Sequence, residues 1–195
     1  MSKFLFIAND LSLDFVNTEI ISAHVRTDLL QGFEDLTGWC EQAQLGSGAE
    51  MQGLAKTWAG TSEGQAALQA CRALRSVLRA AAEGVARTRR VPGRLADVLG
   101  KELQYPRLAT NVVQSQGRLQ TKPHWILEKP RDLVVPLAHY AASFFAAADY
   151  SAVRKCENPE CILFFYDTSK NHTRRWCSMQ MCGNRAKVAA FRERL

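Results

Sequence analysis

No stretch of this 195-residue chain approaches the roughly 18–20 consecutive apolar residues that a membrane span requires. The first ten residues, M-S-K-F-L-F-I-A-N-D, hold too short an apolar run and no small-residue cleavage site for a secretory leader. A cytoplasmic protein with reduced thiols and no membrane partner is therefore expected. Catalytic signatures are missing as well. There is no glycine-rich phosphate loop, no H-E-x-x-H, no G-x-S-x-G and no carboxylate pair in a catalytic context. His124, His139 and His172 lack the spacing of metal ligands, and His139 reads as a hydrogen-bonded core residue. No enzyme is expected. Acids are scarce in one place. From Thr168 to the end there is a single acid, Glu193, against seven bases, so the whole net charge of +6 sits there and residues 1–167 are neutral.

What is present is enough for a core. Apolar residues make up 47 % of the chain, so it is expected to be globular rather than disordered. The organising feature lies near the C-terminus. Four of the six cysteines fall there as two pairs, Cys156/Cys161 and Cys177/Cys182, with four residues inside each pair and fifteen between the pairs. A short gap lets one tight turn aim two thiolates at a point, and two such turns make a tetrahedron. One structural Zn²⁺ is the first choice, since four thiolates leave no open position. An iron–sulfur cluster uses the same ligand set. Two disulfides, or plain buried thiols, are the bland readings. Cys40 and Cys71 are isolated on helices and read as core.

After the last ligand the chain runs C-G-N-R-A-K-V-A-A-F-R-E-R-L. The two spaced cysteine pairs, the C-G-N-R string at Cys182–Arg185 and the closing helix resemble the CGNR zinc fingers. L-S-L-D-F-V-N-T at Leu11–Thr18 resembles the ABATE domain that usually precedes this finger. Together the resemblances cover nearly the whole chain. They imply a bacterial, stress-induced transcription regulator that binds DNA through its finger, its N-terminal domain sensing a small-molecule or protein effector. The alternative is a zinc-stabilised protein-interaction module without DNA binding. A homodimer would raise the affinity of one small finger.

The fold class expected is α+β and mainly helical. A helical domain with a small antiparallel hairpin spans 1–150, and a treble-clef-like zinc finger with four cysteine ligands spans 151–195. Helices are expected from Phe33 or Glu34 to Leu45, Ala49 to Trp58, Thr61 or Ser62 to Arg87, Pro92 to Gln104 and Leu133 to Tyr150. Ser62 with Gln65 suggests a capping box, Asp132 caps the last helix, and Arg26–Gln31 reads as a loop. On the long helix Leu68, Cys71, Leu74, Leu78, Ala81 and Val85 form a core stripe, and Arg72, Arg75, Arg79 and Arg87 read as a solvated face. Strands near 108–115 and 118–127 flank a Gln116-Gly117 turn, anchored by Trp125 and Leu127. In the finger, a strand at Ile162–Tyr166 is expected to pair with one at His172–Trp176.

Two residue sets are functional candidates. Arg174, Arg175, Arg185, Lys187, Arg192 and Arg194 form the candidate nucleic-acid surface, although four thiolates around Zn²⁺ carry a local charge of −2 that attracts cations by itself. On the last helix the cations straddle an apolar stripe of Val188, Phe191 and Leu195, which reads as the inward face. Asn184 also points inward there and reads as holding the knuckle backbone. Asp14, Asn17 and Thr18 share one helical face and are a candidate corner of a ligand pocket; their plain role is bracing neighbouring loops.

Overall fold

The computed structural model describes residues 3–104, 107–115 and 117–192. In chain order these form α1 (Leu11–Val16), β1 (Glu19–Ser22), β2 (Val25–Asp28), α2 (Phe33–Gln42), α3 (Gly48–Trp58), α4 (Ser62–Thr88), α5 (Arg94–Glu102), β3 (Leu108–Ser115), β4 (Arg118–Trp125), α6 (Val134–Ala147), β5 (Val153–Lys155), β6 (Phe164–Tyr166) and α7 (Asn184–Arg192). Three two-stranded antiparallel sheets, β1–β2, β3–β4 and β5–β6, are spread along a helical body. The α+β, mainly helical class holds.

The spine is α4. Its predicted stripe, from Leu68 to Val85, is buried, and against it pack α1, α2, α5 and α6. The cap is Thr61, whose hydroxyl accepts from Gly64 N–H, rather than Ser62 with Gln65. Asp132 accepts from the Glu128 and Lys129 N–H groups. It therefore caps a 3₁₀ turn, Pro130–Leu133, that precedes α6. His139 is half-buried with its ring 5.1 Å from that of Trp125, which anchors the β3–β4 hairpin. Gly117 has φ +75, the left-handed value a two-residue hairpin turn needs; Gln116 lies outside the described residues.

The outer face of α4 departs from expectation. Arg75 is buried and donates to both oxygens of Asp28 (2.7 and 2.6 Å) and to Thr18 Oγ1 (2.8 Å). Arg79 donates to the Val16 carbonyl (2.6 Å) and the Ile162 carbonyl (2.9 Å), with Glu19 3.0 Å from its Nε. Arg72 reaches the Leu30 carbonyl and Asp28. The arginines bind the loops of the N-terminal third instead of facing water, and only Arg87 of the four is exposed. Arg26–Gln31, expected as a loop, begins inside strand β2, which pairs with β1 in register Glu19↔Asp28 through Ser22↔Val25. The turn between them is Ala23-His24, with φ of 48 and 65. Ala23 is not a usual choice for the left-handed region, and Ala-His is not an Asn-Gly or Asp-Gly pair, so the sequence carries little hairpin signal there.

Candidate metal centre and nucleic-acid interface

The finger begins as β5 and turns through the first cysteine pair. Cys156 N–H donates to the Leu163 carbonyl (2.9 Å) and Cys161 N–H to the Asn158 carbonyl (2.9 Å), while the Asn158 side chain accepts from Glu160 N–H (3.0 Å). β6 then pairs back on β5, in register Lys155↔Phe164 to Val153↔Tyr166. The hairpin thus encloses the first knuckle. Residues 172–176, expected as its returning strand, form no ladder. They are held by single contacts, such as Glu157 N–H to the Arg175 carbonyl. The reason is Asp167, fully buried, which accepts from Ser169 and Arg174 N–H and folds the chain into a turn. Cys177 follows, and Cys182 sits in a π turn, Met179–Gly183, that opens α7. A Cβ on Gly183 would lie 2.4 Å from Met179 Sδ and 3.2 Å from a Trp176 ring carbon, so a side chain there would have to displace the Met179 side chain.

The four Sγ atoms all lie within 4.8 Å of one another. Cys161–Cys177 is 3.8 Å and Cys177–Cys182 is 3.5 Å. A tetrahedral ion with Zn–S near 2.3 Å has sulfur–sulfur edges of about 3.8 Å, whereas a disulfide needs about 2.05 Å. The thiols are free, and their spacing fits one structural zinc. Without a cation they compete for charge. Hydrogen bonds from Cys161 and Cys177 hold the Cys156 thiol far below its usual value, and the same bonds push Cys161 and Cys177 up. A dication removes that competition by stabilising all four thiolates. Cys177 N–H also points at Cys156 Sγ (3.4 Å) and screens its charge.

Of the candidate pocket residues, Asn17 holds the finger directly, Asp14 holds the segment that receives it, and Thr18 braces α4. Asn17 donates to the Phe164 carbonyl (2.8 Å) and accepts from Phe164 N–H (2.9 Å), a two-point bond to β6. Asp14 accepts from Ile7 and Ala8 N–H (2.9 and 2.8 Å). The Ala8 carbonyl in turn accepts from Tyr166 N–H (2.7 Å), and the Ile7 carbonyl accepts from Arg174 (2.8 Å). Thr18 donates to the Phe15 carbonyl and accepts from Arg75. All three side chains are buried. The geometry favours the bracing role over a ligand pocket for Asp14, Asn17 and Thr18: Asp14 Oδ1, the Asn17 amide and the Thr18 hydroxyl all bond within the chain. Burial, opposed by the Ala8 and Ile7 N–H groups, lifts the Asp14 carboxyl to about 6. The buried core runs without a break from Leu13 and Phe15 to Phe164, Phe165 and the zinc cysteines. The two parts of the chain thus share one core.

The nucleic-acid candidates divide. Arg174 lies 4.2 Å over the Phe165 ring and donates to the Trp176, Cys177 and Ile7 carbonyls. It braces the finger and leaves the candidate set. Arg175 is exposed, pairs with Glu157 at 2.5 Å and covers Trp176. Arg185, Lys187 and Arg192 are exposed on α7 and carry no ion pair among the described residues. Arg194 and Leu195 lie outside the described residues. Val188 and Phe191 correct the wheel: they are 50 and 65 % exposed, not inward. Asn184 is likewise exposed, reaching only the Gln180 carbonyl at 3.4 Å. The inward expectation failed because Leu163, Phe164 and Phe165 close the finger's core against α1 and α4, leaving α7 standing off. A groove of about 840 Å³ results, lined by Pro159, Trp176, Met181 and Val188 with Arg185 and Arg192 at its sides.

A closed four-thiolate site on a knuckle and helix, seated on a helical domain, defines a zinc-finger protein. The CGNR zinc finger family matches residues 152–195, and the ABATE family, described as "putative stress-induced transcription regulator", matches residues 9–148. The chain belongs to the ABATE family and carries a CGNR zinc finger. No curated protein matches it significantly. Among the described residues, no helix is long and apolar enough to cross a membrane.

Proposed function

We propose that this protein is a non-enzymatic regulator that binds DNA through α7 and the adjoining groove. The carrying observation is the trio Arg185, Lys187 and Arg192, exposed and without an ion pair among the described residues, on a helix that buries no residue. Cations held off the body and unneutralised favour a polyanion. They flank the apolar Val188 and Phe191 rather than forming one polar face, which suits phosphate contacts on both sides of a groove. Titrating the zinc-loaded protein against duplex DNA at several salt concentrations tests this. Binding should weaken steeply with salt, and Arg185→Ala with Arg192→Ala should lower the log–log slope by about 1.8, at roughly 0.9 per phosphate contact. No binding at low salt overturns the reading.

The exposure of Val188 and Phe191 beside an apolar groove favours a second reading, a protein-interaction module. That reading predicts weak salt dependence and loss of partner binding on Phe191→Ala. An effector would act without the Asp14, Asn17 and Thr18 corner, since those side chains are already bonded within the chain.

A further inference from the structure

The β3–β4 hairpin is the longest sheet among the described residues, eight paired positions against four in β1–β2 and three in β5–β6. No third strand joins it. Its register fixes which main-chain groups face outward. Ser115 pairs with Arg118 across a two-residue turn, and Ile126 N–H donates to the Arg107 carbonyl. Both place the odd positions of β3 in the hydrogen-bonded pairs. Leu108, Thr110, Val112 and Gln114 therefore turn their N–H and C=O groups away from β4.

The two edges of this hairpin are unequal. On β4 the outward positions are Leu119, Thr121, Pro123 and Trp125, so Pro123 interrupts that edge with no donor, and β4 also carries Arg118 and Lys122. Proline and charge are the usual guards against edge pairing. β3, L-A-T-N-V-V-Q-S, has neither. Its outward positions are open, with Leu108 43 % and Val112 63 % exposed, and Leu119 on the same face is 75 % exposed. No element other than β4 packs substantially on β3.

We propose that the open edge of β3 pairs with β3 of a second copy of this chain, antiparallel about a two-fold axis near Asn111, to give a continuous four-stranded sheet. The symmetry suits the residues. Thr110 would face Val112 of the other copy and Leu108 would face Gln114, with about eight main-chain hydrogen bonds across the new edge. No charge opposes a like charge, because β3 has none. An edge with no charge offers nothing to a charged partner and meets its own copy without repulsion. A two-stranded hairpin is marginal alone, and four strands are not.

The test is the mass of the full-length zinc-loaded protein by sedimentation, with amide exchange read at β3. Wild type should be a dimer at micromolar concentration, with Thr110, Val112 and Gln114 amides protected. Val112→Lys puts a charge on the edge, and Thr110→Pro removes an outward donor while leaving the β4 ladder alone. Each should give a monomer with the same zinc content and helicity and with faster exchange at the remaining outward amides. A monomeric wild type at 100-fold higher concentration overturns the proposal, even if β3 takes an extended peptide of another protein. So does a dimer that survives both variants, or one whose outward β3 amides exchange freely.

Discussion

Asn17 makes two buried hydrogen bonds to the main chain of one residue, Phe164. Asn17→Ala leaves a buried N–H and C=O without partners, at about 1–3 kcal/mol each. Urea unfolding should show a loss of about 2–6 kcal/mol, and the finger should release zinc to a chelator sooner. A wild-type midpoint would sink the claim that this residue holds the finger. Asp14 behaves in the opposite sense. Its folded carboxyl titrates near 6, above its unfolded value. The folded state therefore takes up the proton first, and this group adds stability as pH falls from about 6 towards 4. Asp14→Asn keeps an acceptor for Ile7 and Ala8, so the variant should match or exceed wild-type stability at pH 7. Its advantage should shrink towards pH 4, measured as the difference in unfolding free energy. Asp28 and Glu19 titrate the other way: burial pulls each up, but bonds from Arg75 and Arg26 and nearby arginine charges outweigh it and leave both below their usual range. Their contribution is complete above the unfolded carboxylate range and is lost as pH falls through the lowered values.

At the scale of elements, α4 shows what periodicity can and cannot tell. The apolar stripe was legible because one buried face repeats every three or four residues. The role of Arg72, Arg75 and Arg79 was not, since the carboxylates and carbonyls they meet lie up to 83 residues away in sequence. Arg75→Ala leaves part-buried Asp28 with Arg72 but without its fork partner, and removing such a partner costs about 1–3 kcal/mol. Arg75→Lys should recover only part of this, because an ammonium cannot bridge both oxygens of Asp28; thermal melts of the two variants compare directly. In the finger, the metal ligands were legible because their spacing is itself the chemistry. The strand partner was misplaced because Asp167, a single buried acid, diverts the returning segment into a turn. The α7 stripe looked inward because a wheel reports amphipathicity without saying what lies opposite.

For the whole molecule, the division at residue 150 follows the two families but not the packing. Phe164 bonds to Asn17, Tyr166 to Ala8 and Asn9, and Ile162 to Arg79. A fragment of residues 151–195 should bind zinc yet lack a fixed β5–β6 pairing, seen as weak amide protection, while the same zinc site in the full chain resists competition by a chelator. Equal protection in both would show that the finger folds alone. Zinc removal from the full chain should loosen the finger first and leave most of the helical signal, since α2 to α6 carry their own core.

The docking of Ile7, Asn9 and Asn17 on the finger has a consequence for synthesis. These groups leave the ribosome well before their partners, which follow 147 to 167 residues later. At about 5–20 residues per second, Asn17 stands without its peptide partner for roughly 7–30 s. The helical body can assemble meanwhile, but its edge beside α1 stays wet until Phe164 and Tyr166 arrive. Closure of α1 on the finger therefore comes after the helical body between them has been made, and it joins segments that lie far apart in the chain.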